Sequence, residues 1–197
     1  MSYKIYHTEG FILGSRSYGE ANKIFKILTP DLGLVNCLAQ GIRLEKSKLR
    51  FNATVRRFVK VSLVRGREHW RLIHLGLGSN LGLNLPEDKL EIFLTKTAAL
   101  LLRFIHGEVG DPNLYYILKG SVLAWSQNEK NNFQNQQNLE ILTMVRLLSA
   151  LGYRPDDKGV EFFAQTNDWQ ENILSDFNVY LSRAVRSVNA ILKNSHL

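Results

Sequence analysis

Hydrophobic and polar positions change their period once along the chain, near residue 80. Before that point they alternate, as half-buried strands require. Tyr3 to Leu13 places Ile5, Phe11 and Leu13 on one face and Tyr6 and Ile12 on the other. Ile24 to Leu28 alternates as well, and Pro30-Asp31-Leu32-Gly33 reads as a turn into Leu34 to Ala39. Val59, Val61 and Leu63 mark a fourth strand, and Trp70 to Leu75 a fifth, with Arg65-Gly66-Arg67 as the hairpin turn between them. Five short strands predict a small barrel of the OB type, although an SH3-like barrel has much the same pattern.

Gly76 to Leu85 is rich in Gly and Asn and reads as a connector, after which the period lengthens. Leu90, Phe93, Leu94, Thr97, Leu101 and Ile105 recur at three- and four-residue spacing, one face of a helix. Asn84, Pro86 and Glu87 are placed to cap and start it. Asp111-Pro112 opens a second helix carrying Leu114, Leu118, Val122 and Trp125. The Asn- and Gln-rich stretch Gln127 to Asn138 reads as a surface loop. A third helix is expected over Leu139 to Leu151, stopped by Gly152. A last one runs from about Glu171 to Lys193, with Ile173, Phe177, Ala184, Val188 and Ile191 inward. The pattern predicts an α+β multidomain chain. Residues 1–80 are expected to form a five-stranded OB-type barrel, and residues 81–197 an α-helical bundle domain.

Charge sharpens this division. The chain has 197 residues and a formal charge of +7. The first 80 residues hold 14 of the 25 Lys and Arg but 5 of the 18 Asp and Glu. The whole excess therefore sits on the predicted barrel, which points to a polyanionic partner for that part. Between two strands, the loop from Gly41 to Arg50 places Arg43, Lys46, Lys48 and Arg50 within eight residues. Arg56, Arg57, Lys60, Arg65 and Arg67 follow on the next strand and its turn. Long cations on a loop can follow a phosphodiester backbone without a fixed register. The alternative is a solvated edge strand kept from aggregation by its charges. Of the aromatics nearby, Phe25, Phe58 and Trp70 read as core, while Phe51 and Tyr18 are the candidates for stacking on bases.

The other candidate chemistry is thin. Gly76-Leu77-Gly78-Ser79-Asn80-Leu81-Gly82 looks like a dinucleotide loop, but helix follows helix where a second parallel strand would be needed. The five histidines have no short metal-ligand spacing, and His69 and His74 have an odd separation in one strand. Asp156-Asp157 reads as a turn, and Cys37, the single cysteine, as a buried strand residue in a reducing compartment. No enzyme activity, metal or cofactor is expected. Met1 to Gly10 lacks the apolar run of a signal peptide, and Thr97 to Ile105 is too short to span a bilayer, so a cytoplasmic protein without membrane attachment is expected.

An ordered series of short motifs narrows the class. Thr8-Glu9-Gly10, Tyr18-Gly19-Glu20, and Leu28-Thr29 with Gly33-Leu34 resemble the start of the bacterial RecO family of recombination mediators. Ala39-Gln40-Gly41-Ile42-Arg43 with Lys46-Ser47-Lys48 resembles that family's basic loop, Arg65-Gly66-Arg67 its hairpin turn, and Leu151-Gly152-Tyr153-Arg154-Pro155 the end of its central helix. The resemblance implies an OB fold and a helical domain. It implies binding of single- and double-stranded DNA, annealing of complementary strands, and help in loading RecA recombinase with a RecR-like protein. The helical domain would be the dock for the acidic tail of single-strand-binding protein. Three departures stand out. Asp156 to Asp168 holds no cysteine where many relatives carry a four-cysteine zinc module, so a short form without zinc is expected. Gln40 and Glu45 stand where Arg and Pro are usual, and Arg57 stands where Pro is usual. The rival readings are an RNA-binding OB protein of translation or RNA maturation, and a non-catalytic protein-interaction scaffold.

Overall fold

The computed structural model describes residues 4–78, 88–107, 111–128 and 133–195. Five strands appear in the basic part: β1 (Ile5–Tyr18), β2 (Asn22–Thr29), β3 (Gly33–Ala39), β4 (Phe58–Arg65) and β5 (Trp70–Leu77). They close a barrel in the order β1-β2-β3-β5-β4, with β4 antiparallel to β1 and β3 parallel to β5. This Greek-key order, in place of a run of hairpins, is the OB arrangement, so the SH3-like alternative falls away.

The barrel core follows from the alternation. Ile12, Phe25, Ile27, Val35, Cys37, Ala39, Val59, Val61 and Leu63 point inward, at most 2% exposed, and Trp70, Leu72 and Leu75 complete the core. On the opposite face of β1 and β4, Phe11 and Phe58 pack with ring centroids 4.8 Å apart. The first strand runs five residues beyond its predicted end, because a bulge between Ile12 and Gly14 lets polar Ser15, Arg16 and Ser17 continue pairing with β2. The glycine-rich connector also starts later than expected. Gly76 and Leu77 still pair with β4, while residues 79–87, including the cap at Asn84, Pro86 and Glu87, lie outside the described residues.

Six α-helices occur among the described residues: α1 (Asp88–Phe104), α2 (Pro112–Asn128), α3 (Phe133–Ala150), α4 (Lys158–Gln165), α5 (Glu171–Phe177) and α6 (Leu181–Asn194). The chain forms two compact units, Met1–Asn80 with Ile105–Tyr115, and Leu81–Phe104 with Tyr116–Leu197. Ile105–Tyr115, which a division after residue 80 places with the helices, thus groups with the barrel. There Tyr115 meets Phe58 edge-on at 6.0 Å and donates its hydroxyl to Glu9 Oε2 at 3.2 Å.

Within the helical unit α3 is the hub, touching α1, α4, α5 and α6. The predicted inward residues of α1 and α2 are all buried, and Phe93 stacks on Trp125 at 4.8 Å. Three expectations need correction. The Asn/Gln-rich stretch is largely helix, since α3 begins at Phe133. Asn138 is buried and donates to the Leu174 carbonyl at 2.9 Å, so tertiary partners satisfy an amide that usually favours loops. Asp156-Asp157 is more than a turn, because Asp157 caps α4, a helix the periodicity does not announce. The last helix is interrupted by a 3-10 turn over Asn178–Tyr180, where Tyr180 packs on Phe163 at 5.4 Å. Gly152, at φ 92°, ends α3 as expected, with Tyr153 N–H reaching back to the Leu148 carbonyl at 2.9 Å.

Candidate nucleic-acid interface

An OB barrel binds oligonucleotides on β2 and β3 and between the β1–β2 and β4–β5 loops. Here the long β3–β4 connection joins that same end. Gly41, in the left-handed region at φ 65°, turns the chain out of β3, and its N–H is held by Asn22 Oδ1 at 2.8 Å. Ile42 then plugs the barrel, 3% exposed. Arg43 N–H donates to the Ala21 carbonyl at 3.0 Å, and its Nη1 to the Gly19 carbonyl at 3.4 Å, both in the β1–β2 loop. Tyr18, at the end of β1, meets His69 of the β4–β5 loop edge-on at 6.1 Å. All three connections therefore lie together.

The basic loop is not the free tether that its composition suggests. Successive tight turns link Leu44 N–H to Gly41, Ser47 to Leu44, Arg50 to Ser47 and Ala53 to Arg50. Leu49, Ala53 and Val55 pack on the barrel core, and Asn52 Nδ2 donates to the Leu75 carbonyl at 3.1 Å. Its cations are therefore held in a register. Arg43 and Arg50 line one hollow together with Lys23, Ile42 and Ala53, while Lys46 and Lys48 are exposed on the turns.

The remaining predicted cations are spread more widely. Arg56 has a left-handed backbone (φ 59°). Its N–H donates to the Ile12 carbonyl at 2.7 Å, and the Arg57 carbonyl accepts from Ile12 N–H at 3.1 Å. These two residues clip the loop's exit onto β1 at its bulge. Arg65 and Arg67 frame the β4–β5 turn, with the Arg65 guanidinium 4.9 Å above the Trp70 ring. Lys60 lines a different depression, with His7, Thr8 and His74, and stands across the ladder from Glu9. The aromatic reading separates as the sequence suggests. Phe25, Phe58 and Trp70 are buried, whereas Tyr18 is 41% and Phe51 85% exposed.

Two cations absent from the sequence reading belong to this end. Lys23 is the second residue of β2, on the strand face shared by Phe25 and Ile27, a period-two signal that could have placed it at the barrel mouth. Arg71 donates Nη2 to Gln40 Oε1 at 3.1 Å, so Gln40 anchors an arginine at this end. Among the described residues no group of three or more His, Cys, Asp and Glu could hold a metal ion. No helix among them is long and apolar enough to cross a membrane.

Comparison with known proteins agrees with this geometry. Residues 1–74 match the family model described as Recombination protein O N terminal. The DNA repair protein RecO of Dehalococcoides mccartyi (strain CBDB1) is 28% identical over 155 residues, covering 77% of this chain and 58% of that protein. Residues 1–74 of this chain are thus similar to the N-terminal part of RecO proteins. The DNA repair protein RecO of Rubrobacter xylanophilus is 45% identical over 65 residues, 32% of this chain and 25% of the relative. That of Bacillus cereus (strain AH187) is 26% identical over 157 residues, 75% and 57% respectively. The chain thus spans somewhat over half the length of the RecO relatives that it matches most extensively.

Proposed function

We propose that this chain is a RecO-like, non-enzymatic, cytoplasmic recombination mediator of DNA repair that binds single- and double-stranded DNA. In this reading it anneals complementary strands and helps a RecR-like protein load RecA recombinase onto coated single strands. The observation that carries it is the joining of the three barrel connections at one end, with Lys23, Arg43 and Arg50 around one hollow. Cations fixed by a rigid barrel hold two phosphate backbones near each other, and pairing then supplies the free energy, so no covalent step is asked of the protein. Similarity to RecO proteins supports the RecR-like partner. On this reading the acidic tail of single-strand-binding protein docks on a groove of the helical unit where Ile92, Trp125 and Ile141 lie with Lys89 and with Lys96, the latter already paired with Glu140 at 2.6 Å.

The test is annealing of complementary oligonucleotides coated with single-strand-binding protein, in the absence of ATP. The chain accelerates annealing, and replacing Arg43, Lys46, Lys48 and Arg50 together by Ala removes most of that effect. A wild-type chain that neither anneals the strands nor binds DNA at low salt overturns the reading. Preference for a matched RNA oligonucleotide over DNA points instead to an RNA reader that uses the 2′-hydroxyl.

A further inference from the structure

The hollow beneath the basic loop has a composition that a general electrostatic surface does not need. Lys23, Arg43 and Arg50 line a solvent-open space of about 250 Å³ together with Ile42 and Ala53, and no carboxylate is among these lining residues. The three cations come from different places: the first residues of β2, the start of the β3–β4 connection and its 3-10 turn Arg50–Asn52. Like charges repel, so bringing three together without a carboxylate costs free energy that a bound anion recovers. Hydrogen bonds within the protein set the frame without a ligand, through Arg43 on the Ala21 and Gly19 carbonyls and Arg50 in the turn series. Next to Arg50 in the same 3-10 turn stands Phe51, 85% exposed. An aromatic ring left in water, one residue along the chain from a lining cation, loses apolar burial unless something flat covers it.

We propose that this corner is a single-nucleotide subsite that selects unpaired DNA, with a backbone phosphate in the Lys23–Arg43–Arg50 hollow and the adjoining base stacked on Phe51. The inference rests on the DNA-binding reading above and adds to it a means of telling single strands from duplex. A phosphate fits the hollow in either form. A base reaches Phe51 only when it is unstacked from its partner strand, because the faces of paired bases are covered within a duplex. Lys23 supplies charge without lying on the loop, and Phe51 supplies strand selectivity without charge.

The two roles separate in a titration of fluorescent single-stranded and duplex oligonucleotides of the same sequence at several salt concentrations. Lys23→Ala weakens both forms to a similar extent and reduces the slope of log K against log salt by about 0.7 to 0.9, one phosphate contact. Phe51→Ala weakens the single strand about tenfold and leaves the duplex and the salt slope unchanged, while Phe51→Trp keeps or strengthens single-strand binding. Thermal melting checks that each variant is folded, which Phe51, standing in solvent, favours. If the wild type binds neither form at low salt, the DNA-binding reading itself fails. If the wild type binds, the subsite is overturned by an unchanged slope in Lys23→Ala, or by a Phe51→Ala loss that is absent or equal in both forms.

Discussion

Arg43 and Arg146 carry the same guanidinium and meet opposite fates. Arg43 is exposed and spends its backbone and one Nη on carbonyls of a neighbouring loop, leaving its charge in solvent. Arg146 is 1% exposed inside the helical unit. Its Nε donates to the Phe163 carbonyl at 3.0 Å, and its Nη2 to Thr166 Oγ1 at 2.7 Å and to the Asp168 carbonyl at 2.8 Å. The Trp169 ring lies 4.2 Å from its guanidinium carbon. Burial pulls its pKa down to about 10, with Asp168 acting in the other direction, so the group stays charged at neutral pH. Arg146 therefore adds nothing to an exposed basic face of the helical unit. Its work is to tie α3 to the chain after α4. Arg146→Leu withdraws the guanidinium from three acceptors, of which the Phe163 carbonyl keeps the Thr166 hydroxyl, and should cost about 3 kcal/mol, roughly 6–12 °C in Tm for a chain of this size. DNA affinity at a temperature where the variant is folded should not change, which thermal melting and binding on one sample will check.

The elements divide into those whose pattern is their own and those that depend on partners far along the chain. The five strands and the faces of α1 and α2 were legible because alternation and three-to-four spacing record directly which side is buried. The start of α3 was not, because Asn135, Gln136 and Asn138 have loop-forming amides and are buried only where other parts of the unit cover them. The break between α5 and α6 was hidden by apolar spacing that continues across it. Tyr180 there packs on Phe163 and lies against Gly159 of α4, where a larger residue would collide with the ring. In the same way, no period could report the Lys23–Arg43–Arg50 hollow, which three separate segments assemble, although the loop itself was visible as a run of cations. The cap of α4 gives an element-scale prediction. Asp157 Oδ1 accepts from Gly159 N–H at 2.9 Å and Val160 N–H at 3.1 Å, and its Oδ2 from Arg183 Nη1 at 3.1 Å. The Val160 N–H holds its carboxyl below the usual carboxylate range, against partial desolvation, and Arg183 and the Gly159 N–H add to the lowering. A lowered folded-state pKa means that the stabilisation is full above the unfolded value of about 3.9 and disappears as pH falls through the folded value. Asp157→Ala should therefore lower Tm at pH 7 but leave it nearly unchanged at the lowest pH where the protein still folds. Asp157→Asn, which keeps a cap acceptor, should lose less. Melting curves across pH measure both, and an Asp157→Ala deficit that does not shrink with acid would rule out the carboxylate as its source.

At the scale of the whole molecule the proposed DNA binding raises the question whether the nucleic acid responds to the net charge of +7 or to where that charge sits. Barrel residues 1–80 hold 14 Lys and Arg against 5 Asp and Glu, while residues 81–197 hold 11 against 13. Screening confines exposed charges to about 8 Å at physiological ionic strength, so a cation beyond that distance from a phosphate contributes little to holding it. Two triple variants with equal loss of net charge separate the possibilities. Lys46→Ala, Lys48→Ala and Arg67→Ala together remove exposed cations from the loops gathered at one end of the barrel. Arg154→Ala, Arg186→Ala and Lys193→Ala together remove exposed cations from the helical unit. If placement governs, the barrel triple flattens the salt dependence of single-strand binding by about 2 in the slope and the helical triple leaves it within error. Equal effects from the two would mean that the chain attracts DNA through its overall field, and the assignment of the interface to the loops around Arg43 would fall with that result.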